Sequence, residues 1–237
     1  MGYGPLRRIG LLVPSSNTTM EPEFYRMAPG GVSVHTARMR LEEVTPEGLV
    51  EMAEDAGRGA GLLATAEVDV IVYGCTTGSL VGGVEWEERL VGRIERETRI
   101  PTLSTSRAVV EALRALDVGR VAVATPYTDR LNRLEAAFLE SHGIEVSAIR
   151  GLGLVRNLSI GRTGGAAVEE LVGAVAGESE AVFISCTNLP TMDLIEPLED
   201  RLRRPVVTSN QASLWAALRG CGIGPVEGYG SLLRSHL

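Results

Sequence analysis

The chain has 237 residues, 44% hydrophobic and 22% charged, the balance of an ordinary globular protein that can bury one large core or two modest ones. With 30 acidic and 23 basic residues its net charge is −7, and no basic run offsets this, which speaks against a nucleic-acid partner. No span of about 20 apolar residues occurs, no signal-peptide core follows Met1-Gly2-Tyr3-Gly4, and three widely spaced cysteines form no disulfide pattern, so a cytoplasmic location and no membrane partner are expected.

The first strand signal is Arg8-Ile9-Gly10-Leu11-Leu12-Val13, ending at Pro14. Ser15-Ser16-Asn17-Thr18-Thr19 follows, a small polar run suited to capping a helix that opens with Glu21 and Glu23. Five such residues exceed what one cap needs. An Asn amide there can donate to a carboxylate without adding charge, which makes Asn17, with Ser15 and Ser16, a candidate substrate contact. Leu49 to Ala66 has apolar or small residues at helical spacing and leads into Val70-Ile71-Val72-Tyr73, a short apolar run that reads as a buried strand. That strand delivers Gly74-Cys75-Thr76-Thr77 at its C-terminal end, where parallel α/β sheets place their chemistry. Ile100 to Ser106 is a further strand, turning into a helical run from Arg107 to Asp117.

The pattern then begins again. Arg120 to Thr125 echoes the first strand and is followed by Pro126-Tyr127-Thr128. Leu131 to Ser141 is an amphipathic helix closed by His142-Gly143. Asn157 lies in the loop Val155 to Ser159, where on its own it reads as a turn residue. Glu169 to Ala176 is helical, and Ala181-Val182-Phe183-Ile184 runs into Ser185-Cys186-Thr187-Asn188. Arg204 to Asn210 and a helix from Gln211 to Gly220 complete the echo. The matching blocks lie 112, 111 and 104 positions apart, which indicates duplication of a unit of roughly 100 residues. Alternating strands and helices predict parallel βαβ units. The expected fold is α/β, with two pseudo-symmetric doubly wound lobes, parallel four-stranded sheets and an active site in the cleft between them. The N-terminal lobe is taken as 1–112 plus 213–237 and the C-terminal lobe as 113–212. The tail from Pro225 to Leu237 has no counterpart and is expected to cross back onto the first lobe.

In such a scaffold Cys75 and Cys186 face each other as an acid/base or nucleophile pair. The backbone amides of Thr76, Thr77, Thr187 and Asn188, at the turns after each strand, would bind carboxylate oxygens and favour a thiolate. A Tyr127 hydroxyl at the end of its strand can reach an anionic ligand. Cys221, in Gly220-Cys221-Gly222, has none of this context and reads as structural. His35, His142 and His236 show no metal-ligand spacing, and no nucleophile elbow, P-loop or complete dinucleotide fingerprint is present. Neither a metal nor an organic cofactor is expected.

Val13-Pro14-Ser15-Ser16-Asn17-Thr18, Tyr73-Gly74-Cys75-Thr76-Thr77-Gly78-Ser79, Thr125-Pro126-Tyr127 and Ser185-Cys186-Thr187-Asn188-Leu189-Pro190 together resemble the maleate cis-trans isomerases of the aspartate/glutamate racemase superfamily. The resemblance implies a cofactor-independent, two-lobed enzyme acting on a small carboxylic acid. It gives Cys75 the part of nucleophile and Cys186 that of the opposing thiol handling the proton, with Asn17, Tyr127 and Asn157 holding substrate carboxylates. Arylmalonate decarboxylases are similar along the second half but typically carry Gly at the position of Cys75. A two-cysteine amino-acid or hydantoin racemase, or an arylmalonate decarboxylase-like enzyme, is the alternative within the superfamily, and a non-enzymatic dicarboxylate binder the alternative outside it. A homo-oligomer, dimer or tetramer, is expected.

Overall fold

A computed structural model describes residues 7–237; Met1 to Leu6, where no leader segment is expected, lie outside the described residues. The apolar runs form two all-parallel four-stranded sheets. In the first, β1 (Arg7–Pro14), β2 (Val32–Met39), β3 (Val70–Tyr73) and β4 (Thr102–Ser104) lie in the order β2-β1-β3-β4. In the second, β5 (Arg120–Thr125), β6 (Glu145–Gly151), β7 (Ala181–Ile184) and β8 (Val206–Thr208) lie in the order β6-β5-β7-β8. Strands β3 and β7 are buried along their whole length, as parallel strands covered on both faces must be. Their registers correspond: Leu12 on β1 pairs with Tyr73, and Ala124 on β5 with Ile184. Each cysteine therefore follows two residues after an equivalent strand end. The duplication read from the sequence is thus a duplication of doubly wound lobes.

The helices are α1 (Met20–Met27), α2 (Pro46–Glu54), α3 (Ala56–Ala64), α4 (Thr76–Leu80), α5 (Val84–Thr98), α6 (Thr105–Ala115), α7 (Asp129–Ser141), α8 (Asn157–Ile160), α9 (Gly165–Val175), α10 (Ile195–Leu202), α11 (Ser209–Gly220) and α12 (Gly230–Ser235). The single helix expected over Leu49–Ala66 is in fact α2 and α3. The break is at Asp55, whose carboxylate binds Arg58 and whose N–H turns back to the Met52 and Ala53 carbonyls. Beyond it α3 lies tight on β1, where a Cβ at Gly59 would stand 2.7 Å from Leu12 Cδ2.

The equivalent helices α6 and α11 pack on each other and form the seam between lobes, with Val109, Val110, Leu113, Leu214, Trp215 and Leu218 in one continuous core. Both boundaries of the 1–112 plus 213–237 and 113–212 division fall within these two helices. The last helix, α12, rests on α10, α11 and β8, while the Tyr229 hydroxyl before it donates to the Arg26 carbonyl on α1 at 2.9 Å. None of the described helices is long and apolar enough to cross a membrane.

A buried carboxylate clamps the lobes from the other side. Glu23 on α1 accepts from the amides of Thr191 (2.8 Å) and Met192 (3.0 Å), and from Asn210 Nδ2 (2.6 Å), all in the second lobe. Burial pushes its carboxyl up, and those three donors oppose the shift. Removing the acceptor strands all three donors. Glu23→Leu is therefore expected to cost about 3 kcal/mol or more. Thermal unfolding should register this as a drop of roughly 6 °C or more, and an unchanged melting point would show that the clamp bears no load.

Candidate active site

Cys75 stands at the N-terminus of α4 with extended backbone (φ −148°, ψ 112°). Glycines on either side make room for it. A Cβ on Gly74 would lie 2.6 Å from Met20 Sδ and 3.0 Å from the Leu12 carbonyl oxygen, and one on Gly78 would lie 3.0 Å from Cys75 Sγ. The sulfur is almost fully buried, which pushes the thiol up to about 11, against hydrogen bonds from the Gly78 N–H and the Thr77 hydroxyl.

Cys186 occupies the equivalent place after β7, but with φ +104°, a backbone conformation that side chains rarely adopt. Its N–H donates to Ser209 Oγ at 3.0 Å, and its sulfur receives the Asn188 N–H at 3.4 Å and the Tyr127 hydroxyl. Burial, with a smaller part from charge on Cys75 and Glu135, pushes this thiol up to about 12. Cys75 and Cys186 thus lie close enough to feel each other's charge. A second contact fixes their proximity: Thr76 Oγ1, beside Cys75, donates to the same Ser209 Oγ at 2.9 Å. The two strand ends meet on one hydroxyl. Cys221 lies apart, half-buried after α11.

The candidate carboxylate-binding residues surround this meeting point in one hydrogen-bonded network. Asn17 Oδ1 accepts from the Thr19 and Met20 amides at 2.9 Å each, capping the start of α1, while Nδ2 crosses the cleft to Thr187 Oγ1 at 3.1 Å. Asn17 thus caps the start of α1 through Oδ1 and ties it to the second lobe through Nδ2. Thr187 Oγ1 in turn donates to the Gly74 carbonyl at 3.2 Å. Asn188 accepts from the Thr18 amide (2.8 Å) and donates to the Asn157 carbonyl (2.7 Å). Asn157 Nδ2 donates to Ser16 Oγ at 2.9 Å, and Ser16 to the Leu41 carbonyl. Ser15 is exposed and its hydroxyl is taken up by Leu41, so it anchors the loop after β2 at the rim. That loop is tied to the other lobe by Val44 N–H to the Val155 carbonyl (2.8 Å) and Asn157 N–H to the Glu42 carbonyl (3.1 Å). Tyr127 is buried, and burial lifts its phenol well above the usual range, which keeps it a neutral donor.

Sequence reading missed Ser209, Ser185, Glu135 and the clamp of Glu23 with Asn210. Ser209 had a faint signal, since Thr208-Ser209-Asn210 echoes Ser104-Thr105-Ser106 in the duplication. Glu135 had none, because one acidic residue on an amphipathic helix looks like any solvated one. Among the described residues no group of three or more His, Cys, Asp or Glu side chains is placed to hold a metal ion. Chemically, the site offers two desolvated thiols and a ring of N–H and O–H donors. It suits an anionic substrate whose charge shifts during reaction.

The family model described as arylmalonate decarboxylase matches residues 9–233. The maleate isomerase of Nocardia farcinica is 35% identical over 244 residues, covering 97% of this chain and 96% of that protein. The arylmalonate decarboxylase of Bordetella bronchiseptica is 32% identical over 229 residues, with 94% and 95% covered. In three dimensions, a Cys-to-Ser variant of the Nocardia farcinica maleate cis-trans isomerase with a covalently bound succinylcysteine intermediate superposes with a TM-score of 0.92 at 34% identity, covering 96% of this chain and 98% of the other.

Proposed function

The chain belongs to the arylmalonate decarboxylase family, and from that premise we propose that it is a cofactor-independent maleate cis-trans isomerase, with Cys75 as nucleophile and Cys186 as acid and base. The observation that carries the reading is the pair of buried sulfurs at equivalent strand ends, joined through Ser209. A decarboxylase needs only one such thiol.

The chemistry follows from the positions. Cys75 thiolate adds to one alkene carbon; a C–S bond forms, the π bond breaks, and the electron pair moves onto the neighbouring carbon and its carboxylate. Cys186 gives its proton to that carbon or leaves it as the enolate. The former double bond is now single and can rotate. Cys186 then reclaims the proton, the pair re-forms the double bond, and Cys75 leaves as thiolate. Burial holds both thiols up, and charge on Cys75 raises Cys186 as well, so the two sulfurs do not ionise together. Asn17, Tyr127 and Asn157, with the amides of Thr76, Thr77, Thr187 and Asn188, hold the carboxylates as their charge grows. The lobes are taken as 1–112 with 213–237 and 113–212, each supplying one sulfur, with α6 and α11 as the shared seam. Location in the cytoplasm accords with three free cysteines, and assembly as a homo-oligomer is part of the same reading.

Incubation with maleate, followed by proton NMR, is expected to show fumarate accumulating without added cofactor. Absence of fumarate, together with solvent-deuterium uptake at Cα of aspartate, glutamate or a hydantoin, would instead make the protein a two-thiol racemase.

A further inference from the structure

Behind Cys186 lies a carboxyl that the reaction above leaves unused. Glu135, on α7, is 1% exposed and carries one hydrogen-bond partner: its Oε1 is 2.5 Å from Ser185 Oγ, while Oε2 has none. Burying an acid without a cation or a full set of donors is costly, and an apolar side chain of similar size would avoid the cost. Its one partner, Ser185, nevertheless directly precedes Cys186 in the chain. The same Ser185 hydroxyl is 3.4 Å from Tyr127 Oη, and the Tyr127 hydroxyl reaches Cys186 Sγ. Four groups therefore form a line from a buried acid to a buried thiol.

We propose that Glu135 is a positioning residue for the isomerisation: through Ser185 and Tyr127 it sets the direction of a hydrogen-bond chain that ends on the sulfur of Cys186. This rests on the two-thiol reading given above. With Glu135 neutral, its O–H donates to Ser185, Ser185 donates to Tyr127, and Tyr127 donates to Cys186, supporting the thiolate that forms when this residue gives up its proton. With Glu135 ionised, Ser185 turns to the carboxylate and Tyr127 to Ser185, and the sulfur loses its donor. A negative charge near the site then also opposes thiolate formation.

Burial pushes the Glu135 carboxyl up to about 8, so the neutral, donating form holds at neutral pH. Its charge is felt by two titratable groups, Tyr127 after β5 and Cys186 after β7. The helix packed across α7, α4, carries none, and Glu145 and Arg150 on the neighbouring β6 are exposed.

Two measurements test the chain. The first is the pH dependence of kcat with maleate in the wild type, Glu135→Gln and Glu135→Leu. Wild-type kcat should bend downward above about pH 8, whereas Glu135→Gln, which keeps a donor and cannot ionise, should continue to climb as Cys75 ionises. Glu135→Leu should lose about 10- to 100-fold in kcat with KM little changed. The second follows the ¹³Cβ resonance of Cys186 against pH in a Cys75→Ser, Cys221→Ser background. A secondary inflection near pH 8 is expected with Glu135 and none with Glu135→Gln. Superimposable kcat profiles and an inflection unaffected by Glu135→Gln would overturn the proposal, and the Gln variant keeps the test valid if the Leu variant does not fold. If no maleate is turned over, the isomerase reading fails while the NMR inflection still decides the chain.

Discussion

Cys75→Ser protein is expected to fold normally and to convert maleate at a rate lower by about 10⁴-fold or more. The change is nearly isosteric, and its neighbours are a glycine amide and a threonine hydroxyl, which can bond an alcohol as well as a thiol. Stability should therefore change by no more than about 1–2 kcal/mol. The chemistry cannot be transferred so easily. A serine hydroxyl ionises far above a thiol, and the burial that raises Cys75 would raise the alkoxide further still, leaving no nucleophile to break the double bond. Steady-state turnover beside a thermal melt checks both halves of the expectation. Retention of wild-type rates would remove Cys75 from the mechanism and leave the alkene to be attacked by some other group.

Cys186→Ser is expected to fail differently. Loss of general acid/base help alone lowers turnover by about 10²–10⁴-fold. Cys75 remains intact, so addition to maleate still proceeds, with solvent supplying the proton slowly. Elimination then needs a base at the carbon that gained the proton, and a serine hydroxyl at that wall is too weak to serve. The adduct should accumulate on Cys75. Intact-protein mass spectrometry after incubation should find the mass of one added maleate, mapped by peptide digestion to Cys75. An unmodified protein with no turnover would instead assign Cys186 to the addition step itself.

Much of this arrangement is legible in the chain because the duplication writes it twice. The strand ends at Tyr73 and Ile184 are marked by short apolar runs, and a parallel sheet has one edge at which such strands release their next residues. Two thiols in equivalent places of facing lobes then have one natural meeting ground. The helix break at Asp55 was not legible, because helical periodicity continues through it. Nor was the use of Ser15 and Ser16, whose hydroxyls hold the backbone of Leu41 across a stretch with no sequence signal of its own. Glu135 was invisible for a simpler reason. Whether a helical glutamate faces water or a buried sulfur depends on which side of α7 the second sheet covers, a matter of tertiary packing that its neighbours in the chain do not specify.

The backbone at Cys186, with φ +104°, is one that glycine occupies at no steric cost and that any residue with a Cβ occupies at a penalty of about 1–3 kcal/mol. Robustness and reactivity therefore pull this one position in opposite directions. A laboratory selection for heat resistance alone would drift toward replacing the sulfur there, and hardier versions of the protein that still work should carry their improvements away from the end of β7.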